Sequence, residues 1–340
     1  MSGYPGLCYS TVIGQEKAVE FVSRSLQSER VPHAFIFKGP DGVGKKLFGR
    51  GLAAALNCRD LSSVYACGHC SSCKKILADS HPDSVVITPD KGMIKINQVR
   101  EMIKLLEFPP YESHWRVVLL EDVHTMRQEA ANSLLKTLEE PPEGNVLILT
   151  ADISRELLTT ISSRCQVVPF YNLEPDDTAD ILCSNEPDMD QKTARLLARL
   201  SEGSPGRGIE LYRADMVDLF RRLITVVSDT EIDGDRDVHI LLSAAREMAD
   251  KKEQLFPFLG LFRLWLRDLL FSWYGLGEEI GLGGLGLETG RVPKCWSSED
   301  LFAKLRAVDR AELELRRNCN RMLVCEVLLF KLHAASRSFL

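Results

Sequence analysis

The chain has 340 residues, of which 45% are hydrophobic and 26% are charged. This composition excludes a disordered or fibrous protein and is enough for two or three domains with separate cores. The formal net charge of −6 argues against a chain that grips nucleic acid alone, because binding a phosphate backbone needs a concentrated basic surface.

Residues 1–15 contain neither a basic region nor a long apolar core, so we predict no secretory signal. The most apolar segment, residues 255–277, carries Arg263, Arg267 and Asp268. Charges near the middle of a membrane span are costly, so this segment is predicted to be a buried amphipathic helix. The ten cysteines are expected to be reduced thiols, and the protein is predicted to be cytoplasmic with no membrane association.

Between residues 34 and 170, short apolar runs alternate with segments of helical period, which is typical of a parallel sheet covered by helices. The five predicted strands are AFIF, SVVI, RVVLLE, NVLILT and CQVVPF. The segment after the third strand predicts a helix that ends at Pro141 and presents one apolar face. That face is formed by Ala130, Leu134, Leu135 and Leu138.

After residue 170 the strand pattern stops and helical segments follow. LEPDDTADIL, QKTARLLARLSEG and SPGRGIELY predict a small helical unit. The glycine-rich segment 275–293 is predicted to be a loop between later helices, because glycine is a poor helix former. The last predicted helix, CEVLLFKLHAASRSF, is apolar enough to be either core or interface.

A phosphate-binding loop directly follows the first predicted strand. Residues 39–46, GPDGVGKK, fit the pattern G-x-x-x-x-G-K except at the final position. Glycines such as Gly39, Gly42 and Gly44 let backbone N–H groups point at phosphates, and Lys45 can reach the terminal phosphates. The usual Ser or Thr that ligates Mg²⁺ is replaced by Lys46, whose ammonium cannot ligate a cation.

A second change lies after the third predicted strand, where Glu121-Asp122 stands in place of the usual Asp-Glu order. The swap alters the reach of each carboxylate, and an error of about 1 Å can cost on the order of a hundredfold in rate. Both changes predict poor metal-dependent hydrolysis. Nucleotide binding without turnover stays open, as does a surface glycine turn with ordinary exposed charges.

Four cysteines have the spacing C-x8-C-x2-C-x2-C, namely Cys58, Cys67, Cys70 and Cys73. Two-residue gaps let neighbouring thiolates close on one tetrahedral ion, and four thiolates leave no open position, as in structural zinc sites. The alternative is four reduced core cysteines, which the polar residues between them disfavour. His69 is interpreted as a bystander rather than a ligand.

The order of the motifs resembles that of clamp-loader AAA+ subunits over about the first 210 residues. The resemblance rests on the phosphate loop, the four-cysteine insertion, VIGQEKA (12–18), PHAFIF (32–37), LLEDVHTM (119–126), Ser163-Arg164-Cys165 and Ser204-Pro-Gly-Arg207. In that family the segment that corresponds to VIGQEKA (12–18) contributes to the adenine pocket.

Within this family, catalytic tau/gamma subunits carry an intact phosphate loop and Asp-Glu pair, whereas the delta-prime class has a degraded site. Lys46 and Glu121-Asp122 therefore favour the delta-prime class. The resemblance implies that Arg164 reaches the ATP site of an adjacent subunit as an arginine finger, which can contribute roughly a thousandfold in rate. An ion pair at a domain edge is the alternative for Arg164. Arg207 resembles the family's second sensor or has only a structural role.

We therefore predict an α/β plus all-α protein in three parts. They are a RecA-like AAA+ P-loop domain at 1–168 with a zinc-binding insertion at 58–73, a helical lid at 169–213 and a helical collar at 214–340. By resemblance, the chain is part of a hetero-oligomer with tau/gamma and delta subunits that places a sliding clamp on primed DNA. It would belong to the DNA polymerase III holoenzyme, a DNA-directed DNA polymerase and nucleotidyltransferase. Zinc would be a structural cofactor, and ATP binding is doubtful.

Two other functions compete with this interpretation. An active ATPase, such as a tau/gamma-like motor, predicts Mg²⁺-dependent turnover by the isolated chain that depends on Lys45, Glu121 and Asp122. A nucleic-acid-binding zinc protein predicts tight DNA binding that chelation abolishes, but the cysteine loop has few aromatics and modest positive charge.

Overall fold

The computed structural model describes residues 8–28, 30–60, 65–153, 158–228, 235–252, 255–275 and 296–333. The chain divides into two compact units, one up to residue 177 and one from residue 178. The first unit contains all the strands of the described residues, and the second is helical.

The first unit is built on a five-stranded parallel sheet with the order β2-β3-β4-β1-β5. The strands are β1 (Ala34–Gly39), β2 (Ser84–Ile87), β3 (Arg116–Leu120), β4 (Asn145–Asp152) and β5 (Gln166–Pro169). All five predicted strands, and the α/β class with a parallel sheet, are thus confirmed. Because parallel strands end at one edge, the segments after β1, β3 and β4 lie together there.

Six α-helices belong to the described part of the first unit before residue 170. They are α1 (Glu16–Gln27), α2 (Lys45–Leu56), α3 (Ser71–Leu77), α4 (Ile96–Leu106), α5 (Gln128–Glu139) and α6 (Thr159–Ser162). The predicted apolar face of α5 packs against the sheet, with Ala130, Leu134 and Leu138 buried and Leu135 half-buried.

The other side of β1 supports the phosphate loop through aromatic packing. Phe37 and Phe48 meet at 5.3 Å between ring centroids, edge to face, and Phe48 meets Phe170 at 5.2 Å. All three rings are buried. This cluster joins β1, α2 and the end of β5, so it holds the start of α2 against the sheet.

The second unit is formed by helices. They are the remainder of α7 (Pro175–Asn185), α8 (Gln191–Leu200), α9 (Pro205–Arg213), α10 (Met216–Ser228), α11 (Asp235–Asp250), α12 (Leu255–Trp273), α13 (Ser298–Arg316) and α14 (Arg321–His333). Helix α12 is the apolar segment predicted to be buried, and Leu259, Phe262 and Leu266 are fully enclosed. No helix among the described residues is long and apolar enough to cross a bilayer.

One continuous hydrophobic core runs through the second unit, from Ala179 on α7 to Leu332 on α14. Leu211 and Met216, on either side of the predicted lid–collar boundary at 213, both belong to it. The division into lid and collar therefore stays a prediction. The predicted glycine-rich loop lies outside the described residues, apart from Gly275.

Candidate functional site

The phosphate loop connects β1 to α2, and its glycines are required by the backbone. Gly42 and Gly44 have φ of +75° and +95°, a left-handed region that favours glycine. A Cβ on Gly39 would lie 2.4 Å from the carbonyl oxygen of Phe170. Substitution at any of the three positions would therefore distort the turn.

Lys45 is buried and bonded to its own loop. Its Nζ donates to the carbonyl oxygen of Gly39 at 2.9 Å and to that of Pro40. Burial lowers the pKa of Lys45, although nearby aspartates oppose this effect. The ammonium thus takes carbonyl oxygens as partners, and a bound phosphate would have to replace them.

Lys46 lies between the two carboxylates that follow β3. Its Nζ is 3.0 Å from Oε2 of Glu121 and 3.1 Å from Oδ2 of Asp122. Partial burial alone would lower the pKa of Lys46, but the hydrogen bonds to both carboxylates raise it overall. The side chain therefore places a positive charge against both carboxylates, and a Mg²⁺ ion would compete with it for the same oxygens.

Asp122 has an unusual backbone conformation, with φ 54° and ψ 51°. Its backbone N–H donates to Oγ1 of Thr150 at 2.9 Å, and Thr150 is fully buried on β4. Left-handed backbone is uncommon outside glycine. The contact with β4 therefore fixes the direction in which the Asp122 carboxylate points toward Lys46.

Arg164 follows α6 and pairs within its own chain. Its Nε donates to Oε1 of Glu139 at 2.7 Å, and Nη2 donates to the same oxygen. Nη1 also donates to the carbonyl oxygen of Thr160 at 2.9 Å. The Arg164 side chain is 32% exposed and that of Glu139 is 50% exposed. An ion pair this exposed is held weakly, so it can exchange for another anion.

Arg207 lies in the first turn of α9. Its backbone N–H is capped by Oγ of Ser204 at 3.4 Å, and its side chain is exposed. It belongs to the second unit, whereas the phosphate loop belongs to the first. A role for Arg207 as second sensor stays a prediction.

The four predicted cysteine ligands come together between the end of α2 and the start of α3. Their sulfurs all lie within 4.8 Å of one another. Sγ of Cys73 is 3.8 Å from Sγ of Cys58 and 4.0 Å from Sγ of Cys67. Tetrahedral zinc with Zn–S bonds of about 2.3 Å spaces its sulfurs by about 3.8 Å. The donor set and spacing therefore fit a structural zinc ion.

Three of these sulfurs also accept hydrogen bonds from backbone N–H groups. The amides of Cys67, Cys70 and Cys73 donate to the preceding cysteine sulfur at 3.3, 3.3 and 3.4 Å. Burial raises the pKa of Cys58 and of Cys73. Burial also acts to raise that of Cys70, but N–H donors outweigh it and lower the pKa to about 6. Thiolate, the form that binds metal, is thus favoured at Cys70.

His69 lies beside the cluster. Its Nδ1 is 2.8 Å from the carbonyl oxygen of Cys67, and its ring is exposed. With Asp60 and Cys67 it forms a second group of ligand atoms near one another. That group shares Cys67 with the four-sulfur set, so the two groups are not independent sites.

A groove of about 670 Å³ runs along α1. Its lining includes Val12, Ile13 and Tyr65. A Cβ on Gly44 would lie 3.1 Å from Cγ1 of Val12. The segment expected to contribute to an adenine pocket is therefore adjacent to the phosphate loop.

Part of the chain is similar to known proteins. Residues 14–174 match the family described as DNA polymerase III, delta subunit. DNA polymerase III subunit delta' of Bacillus subtilis is 33% identical over 201 residues, 59% of this chain and 60% of that protein. Subunit delta' of Pseudomonas aeruginosa is 35% identical over 205 residues, 56% of this chain and 61% of that protein.

Over residues 14–174 the chain is similar to delta-prime-like clamp-loader subunits. The matched part spans about three fifths of the length of these two relatives. DNA polymerase III subunit tau of Escherichia coli is also similar, at 31% identity over 200 residues, 58% of this chain and 31% of that protein. A gamma subunit-related structure from Thermotoga maritima has a TM-score of 0.47 at 18% identity, covering 94% of this chain and all of that one.

The delta-prime-like domain also contains a buried ion pair that the sequence analysis missed. Asp83 is fully buried and accepts N–H bonds from residues 111–113 at 2.6, 2.8 and 3.1 Å. Arg116, at the start of β3, donates to three carbonyl oxygens of residues 105–109 and lies 3.5 Å from Asp83. The available signal was a charged residue directly before β2 and another at the start of the adjacent, buried β3.

Proposed function

We propose that this chain acts as a delta-prime-like subunit of a DNA polymerase III clamp loader and does not itself hydrolyse ATP. The observation that carries this proposal is the position of Lys46 between Glu121 and Asp122. Phosphoryl transfer depends on a divalent cation that neutralises developing charge. A tethered ammonium in that position cannot coordinate phosphate oxygens as a metal does.

The part of Arg164 in this function is to act on a neighbour's nucleotide. It follows α6, is partly exposed, and forms only a weak ion pair with Glu139. Arginine suits this role because its planar, permanently charged group can pair with two phosphate oxygens. Exchange of Glu139 for a phosphoryl group in the adjacent subunit would complete that subunit's site.

The four cysteines serve a structural purpose in this proposal. Cys58, Cys67, Cys70 and Cys73 would hold a zinc ion that has no open coordination position, and such an ion contributes folding free energy rather than catalysis. The cluster therefore ties the end of α2 to the start of α3.

The proposed partners follow from the relatives. Their names describe delta', tau and gamma/tau subunits of DNA polymerase III. We propose that this chain assembles with tau/gamma and delta subunits in a hetero-oligomer that loads a sliding clamp on primed DNA. With a net charge of −6, it would contact DNA mainly through the assembly.

Two ATPase assays test the proposal. The isolated chain is expected to show no Mg²⁺-dependent hydrolysis above the rate of a Lys45→Ala control. Mixing it with tau/gamma and delta subunits is expected to raise their DNA-stimulated hydrolysis. Turnover by the isolated chain that disappears in Lys45→Ala would instead establish an active motor subunit.

A further inference from the structure

The loop between α4 and β3 presents two unusually exposed aromatic side chains. Phe108 is 66% exposed and Tyr111 is 83% exposed, the two highest values among the large hydrophobic residues that the structure describes. We call residues 107–115 the aromatic loop. Large apolar side chains held in water on a monomer indicate an interaction site.

This loop is held in place from inside the domain. Buried Asp83 accepts the N–H groups of three successive loop residues, 111–113. Buried Arg116 donates to the carbonyl oxygens of Phe108 and Pro109 at 2.6 and 2.9 Å. A buried ion pair that satisfies the loop backbone on both sides leaves it little freedom. The two aromatics are therefore exposed on a fixed backbone.

The four-cysteine module, residues 57–60 and 65–77, contacts the same loop from another direction. Nζ of Lys75 donates to both carboxylate oxygens of Glu112 at 2.7 Å. Oδ1 of Asn57 accepts the backbone N–H of Trp115 at 3.3 Å. The contacts come from the two ends of the module, at α2 and α3.

A buried histidine forms a third connection. Nε2 of His81 is 3.1 Å from Oγ of Ser72 and 3.2 Å from Oγ of Ser113. Its Nδ1 accepts the backbone N–H of Asp83 at 3.1 Å, so the ring proton lies on Nε2. Ser72 belongs to the module and Ser113 to the loop, and His81 joins them.

Two of the module residues that contact the aromatic loop or its histidine are adjacent in sequence to predicted metal ligands. Asn57 precedes Cys58, and Ser72 precedes Cys73. A metal ion bound by both Cys58 and Cys73 would fix the distance between the end of α2 and the start of α3, from which these contacts come. The metal site is thus placed to set the position of the aromatic pair.

The charges around the pair indicate the kind of partner. Residues 105–115 contain no lysine or arginine, and they include the exposed Glu107 as well as Glu112. Single-stranded nucleic acid would find stacking surfaces here but no lysine or arginine within the loop for its phosphates, and the neighbouring Lys75 is already paired with Glu112. A protein pocket that is apolar inside and basic at its rim complements the loop.

We propose that the four-cysteine module and the Asp83–Arg116 pair hold Phe108 and Tyr111 as a preformed aromatic pair that docks into an apolar, basic-rimmed pocket of a protein partner. The search for that partner rests on the proposed function, because the pocket is sought among the protein components of the clamp-loader assembly. Preformed loops lose little conformational entropy on binding, which favours this arrangement for recognition.

Hydroxyl-radical footprinting of the full chain, free and within the reconstituted assembly with its sliding clamp, tests the docking. We expect modification of Phe108 and Tyr111 to fall several-fold on assembly without DNA. Protection that appears only after primed DNA is added would assign the pair to nucleic acid and overturn the proposal. Unchanged modification in an assembly that forms normally would overturn docking alone, whereas failure to assemble would overturn the proposed function as well.

Variants and metal removal complete the test. Tyr111→Ser combined with Phe108→Ser is expected to weaken entry into the assembly at least about tenfold, with an unchanged melting temperature. Tyr171→Ser, at another exposed aromatic of the same unit, is the matched control. Removing the metal is expected to speed hydrogen exchange of the amides of residues 111–113, and exchange that does not respond to metal would contradict the bracing role.

Discussion

At the scale of single residues, the position of Lys46 is the basis for proposing that the phosphate loop does not use Mg²⁺. The glycine turn and Lys45 are present, so the backbone can still surround phosphates. The ammonium of Lys46 instead neutralises Glu121 and Asp122. In the proposed account, this tethered monovalent cation takes the place of a divalent ion that would bridge protein and nucleotide.

Replacing this lysine should restore part of the metal site. In Lys46→Thr, a hydroxyl stands beside two unpaired carboxylates, and we expect nucleotide binding to become Mg²⁺-dependent. Isothermal titration with and without Mg²⁺ measures this. Lys46→Met, which removes the charge without adding a ligand, is the control. Equal affinity with and without Mg²⁺ in Lys46→Thr would show that the lysine does not exclude the metal.

The Arg164–Glu139 pair should contribute little to stability. Both side chains are substantially exposed, and such pairs are worth at most about 1 kcal/mol. Glu139→Gln is therefore expected to change the free energy of unfolding in urea by less than that amount. The comparably exposed Arg50–Asp79 pair gives the matched control, Asp79→Asn. A much larger loss for Glu139→Gln would make Arg164 a structural residue.

At the scale of elements, a buried carboxylate fixes the loop before β3. Hydrogen bonds from residues 111–113 and the charge of Arg116 outweigh burial and lower the pKa of Asp83. The stability that Asp83 contributes is therefore fully present above its unfolded pKa of about 4. It is lost as the pH falls through the lower folded value.

Asp83→Asn should cost about 3 kcal/mol at neutral pH, because it leaves Arg116 buried without its ion pair. The difference from the original chain should be constant from about pH 5 to 8 and shrink below about pH 4. Urea unfolding across this pH range measures it. Asp90→Asn, at an exposed aspartate paired with Lys95, should cost little. A loss that does not change with pH would assign Asp83 a role other than charge.

The four-cysteine module should hold about one zinc ion per chain. Cys73→Ser is expected to lose the metal and lower the melting temperature, because Cys73 is buried within the cluster. Metal analysis and thermal unfolding check this, with Cys183→Ser as the control thiol. Metal retained by Cys73→Ser, or absent from the original chain, would contradict a structural zinc site.

The strands, the phosphate loop and the cysteine spacing could be predicted because each depends on residues that are close together in the sequence. AFIF and NVLILT are apolar runs of strand length, and C-x2-C-x2-C is a local pattern. The partner of Arg164 could not be predicted, because Glu139 lies on a separate helix, 25 positions away. The hydrogen bonds that hold the aromatic loop could not be predicted either. They join Asn57 and Asp83 to residues 111–115, and these segments meet only in the folded chain.

At the scale of the whole molecule, the candidate functional residues discussed above lie mainly in the first of the two units. The first unit carries the phosphate loop, Arg164 and the cysteines, and the second is a helical unit with one core. The sequence predicted two helical parts after residue 168 from a change in helix length. Residues on both sides of 213 share one core, and the division into lid and collar stays a prediction.

The most direct test of the account is the DNA-stimulated ATPase rate of a reconstituted clamp loader that contains this chain with Arg164→Ala. An arginine finger can contribute about a thousandfold, so we expect a drop of at least about tenfold with assembly unchanged. Arg50→Ala, at a similarly exposed and paired arginine of the same unit, should leave the rate unaltered. An unchanged rate for Arg164→Ala in an intact assembly would contradict the donated arginine and with it the proposed role.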